Sequence, residues 1–179
     1  MTELDTAVQG TAELETALTR YIEGCEIRFA YRRLGPSTRK PLVLLQHFSG
    51  NIDAWDPAVV NALAADRTVI AFDNAGVGRS TGQTPDTVAA MARDAVDFIH
   101  LLGLSEVDLL GFSLGGCVAQ QIAAEHGRLV RKLILVGTAP KGGRNSCWRF
   151  SKRRFPKQTR QTRESCCGGQ DDNRENRSA

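Results

Sequence analysis

The stretch VDLLGFSLGG, Val107 to Gly116, decides the fold. It reads as a short apolar strand, a sharp turn carrying Ser113, and the first turn of a helix. The spacing Gly111-Phe112-Ser113-Leu114-Gly115 is G-x-S-x-G, the nucleophile elbow. In that motif the serine sits on a strained strand-to-helix turn, and its hydroxyl projects from the end of the sheet. Glycine is needed at 111 and 115 because a β-carbon there would meet neighbouring backbone. The chemistry implied is serine-based acyl transfer, which also needs a histidine and an acid to activate the serine.

Strands and helices alternate on both sides of the elbow. Tyr21 to Leu34 reads as a strand pair turning at Gly24-Cys25-Glu26. Its second strand alternates Ile27, Phe29 and Tyr31 with Arg28, Ala30 and Arg32, as a half-exposed antiparallel edge would. LVLLQ (42–46), RTVIAFD (67–73) and KLILV (132–136) are continuous apolar runs, the pattern of parallel strands covered on both faces. A helix is expected over Ala58 to Ala65. A second is expected to open at Thr84-Pro85-Asp86, with a threonine cap and proline at the first helical position, and to stop at Gly103. The elbow helix should run to about His126. This order predicts an α/β fold with an open, mostly parallel sheet in three layers. Ligands bind such sheets at the carboxyl ends of the strands. His47–Asn51, Asp73–Gly82, Ser113 and Gly137–Gly143 all follow strand ends and should meet on one rim.

Composition limits the remaining possibilities. The chain has 179 residues, 41% of them hydrophobic, enough for one domain with a core. It has no apolar run long enough to span a membrane. Its amino terminus is acidic and lacks the apolar segment of a secretory signal, so a cytoplasmic protein is expected. Five cysteines without metal spacing are expected to stay as thiols. The net charge of +3 conceals a split. Residues 144–179 hold ten Lys and Arg against four Asp and Glu, and contain no Val, Leu, Ile or Met. Such a segment cannot bury enough surface to offset about 1–2 kcal/mol of backbone entropy per residue, and it is expected to be disordered. Three units follow: a loose arm over 1–18, a core over 19–143, and a basic tail over 144–179.

Four motifs in order resemble the α/β-hydrolase superfamily, most closely its small bacterial esterases and cofactor-free haloperoxidase-like members. QHFSGN (46–51) is similar to the family's oxyanion loop, with Phe48 where glycine is usual. AFDNAGVGRS (71–80) is similar to its D-x-x-G-x-G-x-S loop, at Asp73, Gly76, Gly78 and Ser80. GFSLGG (111–116) is the elbow, and LILVGTAP (133–140) resembles the strand and turn leading into the lid. The resemblance covers about Tyr21 to Gly143. It implies Ser113 as nucleophile and an oxyanion hole made by the backbone N–H of Leu114 with that of Ser49, Phe48 being the neighbouring alternative. It implies no metal and no organic cofactor.

The resemblance also implies two further strands, an acid and a histidine, and the sequence after Gly143 matches none of them. The tail resembles translation in a shifted reading frame. His126, the one histidine after Ser113, falls near the end of the elbow helix, away from the rim. His47 is expected to shape the oxyanion loop rather than serve as base. The expectation is therefore a serine-esterase relative acting on esters or similar acyl compounds, but catalytically incompetent as a truncated chain. The alternatives are a non-catalytic small-ligand binder on the same scaffold and a nucleic-acid binder using the basic run SKRRFPK (151–157). Specific nucleic-acid binding is not expected, because a charge run is more often a solvated segment. Gly76–Gly82 has G-x-G-x-x-x-G spacing, which fits neither a dinucleotide fingerprint nor a phosphate loop. With the later strands missing, KLILV would be an apolar sheet edge, and self-association through it is expected.

Overall fold

The computed structural model describes residues 13–24 and 26–140. The tail over 144–179, expected to be disordered, and most of the amino-terminal arm lie outside those residues. The described chain forms strands β1 (Arg20–Gly24), β2 (Ile27–Leu34) and β3 (Leu42–Leu45), helix α1 (Pro57–Ala64), strand β4 (Val69–Phe72), helix α2 (Val88–Leu101), strand β5 (Val107–Phe112), helix α3 (Leu114–Glu125) and strand β6 (Val130–Val136). The six strands form one sheet in the order β1-β2-β4-β3-β5-β6. The β1–β2 and β2–β4 pairs are antiparallel, and the other three are parallel. This is the expected α/β architecture.

Period-two alternation in the central strands separates two apolar layers. Val43 and Leu45 join Phe29, Ile70, Phe72 and Leu109 under α2 and α3. Leu42 and Leu44 face the other way, with Leu34, Val69 and Leu110 under α1. Both layers are needed because all four residues of β3 and of β4 are buried. Phe98 of α2 anchors the first layer. Its ring stacks on Phe72 at 4.3 Å and meets Phe29 at 5.4 Å.

Several sequence expectations change. β2 is not an edge: β1 covers one side and β4 the other. Arg32, placed by alternation on the exposed face, is buried. Its guanidinium donates to Thr19 Oγ1 at 3.1 Å and to the Leu14 carbonyl at 3.0 Å. The end of the supposedly loose arm is therefore docked. Leu14 is 1% exposed, and its N–H donates to Asn61 Oδ1 of α1 at 2.8 Å. Truncating Leu14 to alanine should cost about 2 kcal/mol in urea unfolding. A change within about 0.5 kcal/mol, the surface-substitution range, would mean the contact does not hold the arm.

The cap of α2 is Thr87, whose Oγ1 accepts from Ala90 N–H at 3.2 Å, not Thr84. Thr84 is committed elsewhere: its hydroxyl donates to the Gly76 carbonyl at 3.4 Å. A β-carbon on Gly76 would lie 2.5 Å from Thr84 N, so the two segments touch through backbone. β6 also differs from a buried parallel strand. It pairs with β5 alone among the described residues, and Leu133, Ile134, Leu135 and Val136 are 37–44% exposed.

At the amino ends of the strands, Asp108 of β5 is 1% exposed between two arginines. Arg67 donates to its Oδ2 at 2.7 Å, and Arg131 donates to both carboxylate oxygens at 2.9 and 2.7 Å. At the carboxyl ends of β3, β4, β5 and β6, the described loops after each strand gather on one rim.

Candidate active site

β5 and α3 meet at Ser113 with almost no connecting chain. Ser113 has φ 54° and ψ −115°, in the left-handed half of the map. A non-glycine residue held there costs about 1–3 kcal/mol, so the surroundings must enforce it. They do so with backbone. Ser113 N–H donates to the Val136 carbonyl at 2.9 Å, and the Ser113 carbonyl accepts from Gly116 N–H at 3.0 Å. The two motif glycines permit the approach of α3. A β-carbon on Gly111 would lie 2.5 Å from the Gly115 carbonyl oxygen, and one on Gly115 would lie 2.0 Å from that of Leu45. The Ser113 hydroxyl hydrogen-bonds to no described residue.

The same close approach sets the start of α3 beside the loop that follows β3. Leu114 is the first residue of α3, where helical N–H groups lack an internal partner. Neither its N–H nor that of Ser49 donates to a described residue. Ser49 is exposed and has φ 61°, a second strained backbone on the rim. The loop is tightened by Gly50 N–H to the His47 carbonyl at 3.1 Å and by His47 N–H to Gln46 Oε1 at 2.9 Å. Phe48 is half-exposed.

No described histidine hydrogen-bonds to the Ser113 hydroxyl. His47 Nδ1 lies 2.7 Å from the Phe48 carbonyl oxygen, which makes Nδ1 the protonated nitrogen. Its ring stands edge-on to Phe112 at 5.6 Å. His100 and His126 line a cleft of about 670 Å³ with Ser105, Glu125 and Arg128. That cleft adjoins the residues before β5 and β6, at the end of the strands opposite Ser113.

The glycine-rich loop is organised by Asp73, fully buried at the end of β4. One carboxylate oxygen accepts from Ile52 N–H and the other from Arg79 N–H, both at 2.7 Å. Gly78 is needed because a β-carbon there would lie 2.3 Å from that carboxylate. Ser80 Oγ donates to the Asp73 carbonyl at 2.7 Å and accepts from Ala30 N–H of β2 at 2.9 Å. This loop therefore braces the site.

Sequence reading missed three features. Asp53 bridges Arg32 at 2.8 Å and Arg79 at 2.9 Å. Burial pushes the Asp53 carboxyl up, but the hydrogen bond from Arg79 and the two guanidinium charges outweigh it and hold it below the usual range. No spacing rule joins positions 32, 53 and 79. Second, Gln46 Nε2 and Trp55 Nε1, on the loop that follows β3, are buried donors without a hydrogen-bond partner among the described residues. Third, Cys117, the one cysteine among the described residues, is disulfide-bonded, against the expectation of thiols. No described helix is long and apolar enough to cross a membrane.

Comparison with known proteins agrees with this fold. The family model described as alpha/beta hydrolase fold matches residues 40–168. The protein named carbamate hydrolase RutD of Rhizobium rhizogenes is 32% identical over 67% of this chain and 46% of its own length. The poly(3-hydroxyalkanoate) depolymerase of Ectopseudomonas oleovorans is 33% identical over 66% of this chain and 41% of its own. An alpha/beta hydrolase fold protein from Chitinophaga pinensis superposes with a TM-score of 0.73 and 49% identity, over 74% of this chain and 48% of that one. The chain thus spans about half the length of the curated relatives it matches.

Proposed function

From its membership of the alpha/beta hydrolase fold family, to which this chain belongs, we propose that it carries the nucleophile half of a serine hydrolase acting on esters or related acyl compounds. Ser113 is the nucleophile. Its hydroxyl attacks the acyl carbon, and the oxyanion that forms accepts hydrogen bonds from the backbone N–H groups of Leu114 and Ser49. The observation that carries this reading is the elbow: a serine forced to φ 54°, with an unengaged hydroxyl, next to an unpaired helix-start N–H. Each oxyanion donor in such sites supplies about 2.7–4 kcal/mol of transition-state stabilisation. The names of the relatives, a carbamate hydrolase and a polyester depolymerase, support acyl compounds of this class as substrates.

The chain alone is expected to turn over poorly. The support for this is that no described histidine hydrogen-bonds to the Ser113 hydroxyl. Without a base, catalysis falls to the residual level of about 10³–10⁴ over water that binding and the oxyanion hole supply. The same observation favours a second reading, a non-catalytic ligand-binding protein on the hydrolase scaffold.

A fluorophosphonate probe separates the two readings. Slow covalent labelling, mapped by mass spectrometry to Ser113 and abolished in Ser113→Ala, is expected, with only slight hydrolysis of a chromogenic short-chain ester. No labelling over many hours, or labelling that survives Ser113→Ala, would remove the nucleophile assignment and leave the binding scaffold. Rapid turnover would mean that a base does reach Ser113, and His47→Ala would then identify or eliminate His47.

A further inference from the structure

We propose that Gln46 is the positioning residue of the oxyanion hole, the buried seat on which the turn carrying the Ser49 N–H is folded. The inference rests on the assignment of Ser113, Leu114 and Ser49 made above. Gln46 directly follows β3 and is 2% exposed. Burying an amide is costly, so the bond it does make carries the reason for its presence. Its Oε1 accepts from His47 N–H at 2.9 Å. Its Nε2 donates to no described residue. The acceptor end is therefore the part that the loop uses.

Residues 47–50 form a tight turn, closed by Gly50 N–H donating to the His47 carbonyl at 3.1 Å. Its third residue, Ser49, has φ 61°, the sign that a type II turn requires and that glycine usually supplies. In the competing type I turn φ is negative there, and the central peptide, between Phe48 and Ser49, is turned over. A trans peptide points its C=O and N–H in opposite directions, so turning it over carries the Ser49 N–H to the other side. Both ends of the turn rest on Gln46. His47 N–H is bonded to Oε1, and Gly50 presses on the stem, where a β-carbon on Gly50 would lie 2.4 Å from Gln46 Cγ. His47 in turn holds the Phe48 carbonyl, on the central peptide, with Nδ1 at 2.7 Å. Gln46 also touches the elbow helix, since a β-carbon on Gly115 would lie 2.7 Å from the Gln46 carbonyl oxygen. One residue thus refers the Ser49 N–H to the start of the helix that supplies the Leu114 N–H.

The rate of fluorophosphonate labelling at Ser113, followed by intact mass on the whole chain, tests the proposal. Gln46→Met keeps the length of the side chain and removes the acceptor. It should slow labelling by about 100-fold or more, the loss that removal of one oxyanion donor brings. Gln46→Glu gives up Nε2 but keeps an oxygen at Oε1, and should label at the wild-type rate. That rescue separates positioning from stability, because a charged or protonated carboxyl in a buried site does not restore a fold that an apolar isostere has lost. Circular dichroism melts identify a variant that does not fold. If Gln46→Met is one, Gly50→Ala takes its place, since its β-carbon displaces the same side chain from above, and the same loss of rate is expected. A folded Gln46→Met or Gly50→Ala that labels at the wild-type rate overturns the proposal alone. So does a folded Gln46→Glu as slow as Gln46→Met. A wild-type chain that does not label at Ser113 overturns the nucleophile assignment and this proposal together.

Discussion

Replacing Gly115 with valine is expected to abolish cooperative folding, a loss of about 4 kcal/mol or more. Intrinsic propensity argues the other way, because a non-glycine residue in a helix gains up to about 1 kcal/mol over glycine. Sterics decide the matter. A β-carbon at 115 would lie 2.0 Å from the Leu45 carbonyl oxygen and 2.7 Å from that of Gln46. Both obstacles are backbone at the end of a fully buried strand, so no side chain can swing aside. Ordinary overpacking costs about 1–3 kcal/mol where side chains can adjust. Here α3 must lift from β3, which also opens the elbow. Chemical denaturation followed by circular dichroism reads the effect. A variant with a wild-type midpoint would mean that the start of α3 is not seated on β3.

The second large effect is expected at Asp108. Asp108→Asn removes the charge that two guanidinium groups share, and should cost about 3 kcal/mol at neutral pH. That is the low end for breaking a buried ion pair, because Arg131 can rehydrate while the less exposed Arg67 cannot. The melting temperature should fall by roughly 10 °C. The pH dependence has a definite sign. Burial tends to raise the Asp108 carboxyl, but hydrogen bonds from Arg131 and Arg67 outweigh it and hold it below the ordinary value. A folded-state pKa below the unfolded value of about 3.9 stabilises the protein above that pH. The contribution disappears as pH falls through the folded value. The wild-type and Asp108→Asn stabilities should therefore differ at pH 7 and converge below about pH 4. Curves that stay parallel into acid would assign the loss to shape rather than charge.

The parts of this protein legible in sequence are those fixed by local backbone demands. The elbow could be read because Gly111 and Gly115 are the residues whose β-carbons would strike backbone. The central strands could be read because β3 and β4, buried on both faces, admit only apolar side chains. The family followed from four such motifs in order. What escaped reading depends on contacts between distant residues. Thr84 looks like a cap beside Pro85, but the Gly76 turn occupies it, and α2 waits for Thr87. Arg32 sits at an alternation position that suits solvent, yet Asp53, Thr19 and Leu14 enclose it. Leu14 lies among acidic and polar residues, and nothing nearby reveals that Asn61 receives it. At the site, the sharp turn that carries Ser113 was legible. The placing of His47 against its neighbour's carbonyl was not, because tautomer and ring orientation follow from geometry alone.

Asp73 links the loop after β3 to the glycine-rich loop after β4. One carboxylate holds the amides of Ile52 and Arg79 at equal distance. Neither amide can be released by a movement of the carboxylate that spares the other. The two should therefore exchange hydrogen with solvent in a single kinetic event, at one protection factor, although 27 positions separate them in the chain. A substrate that pressed on one loop would be felt in the exchange rate of the other, and Asp73→Asn would uncouple the two clocks.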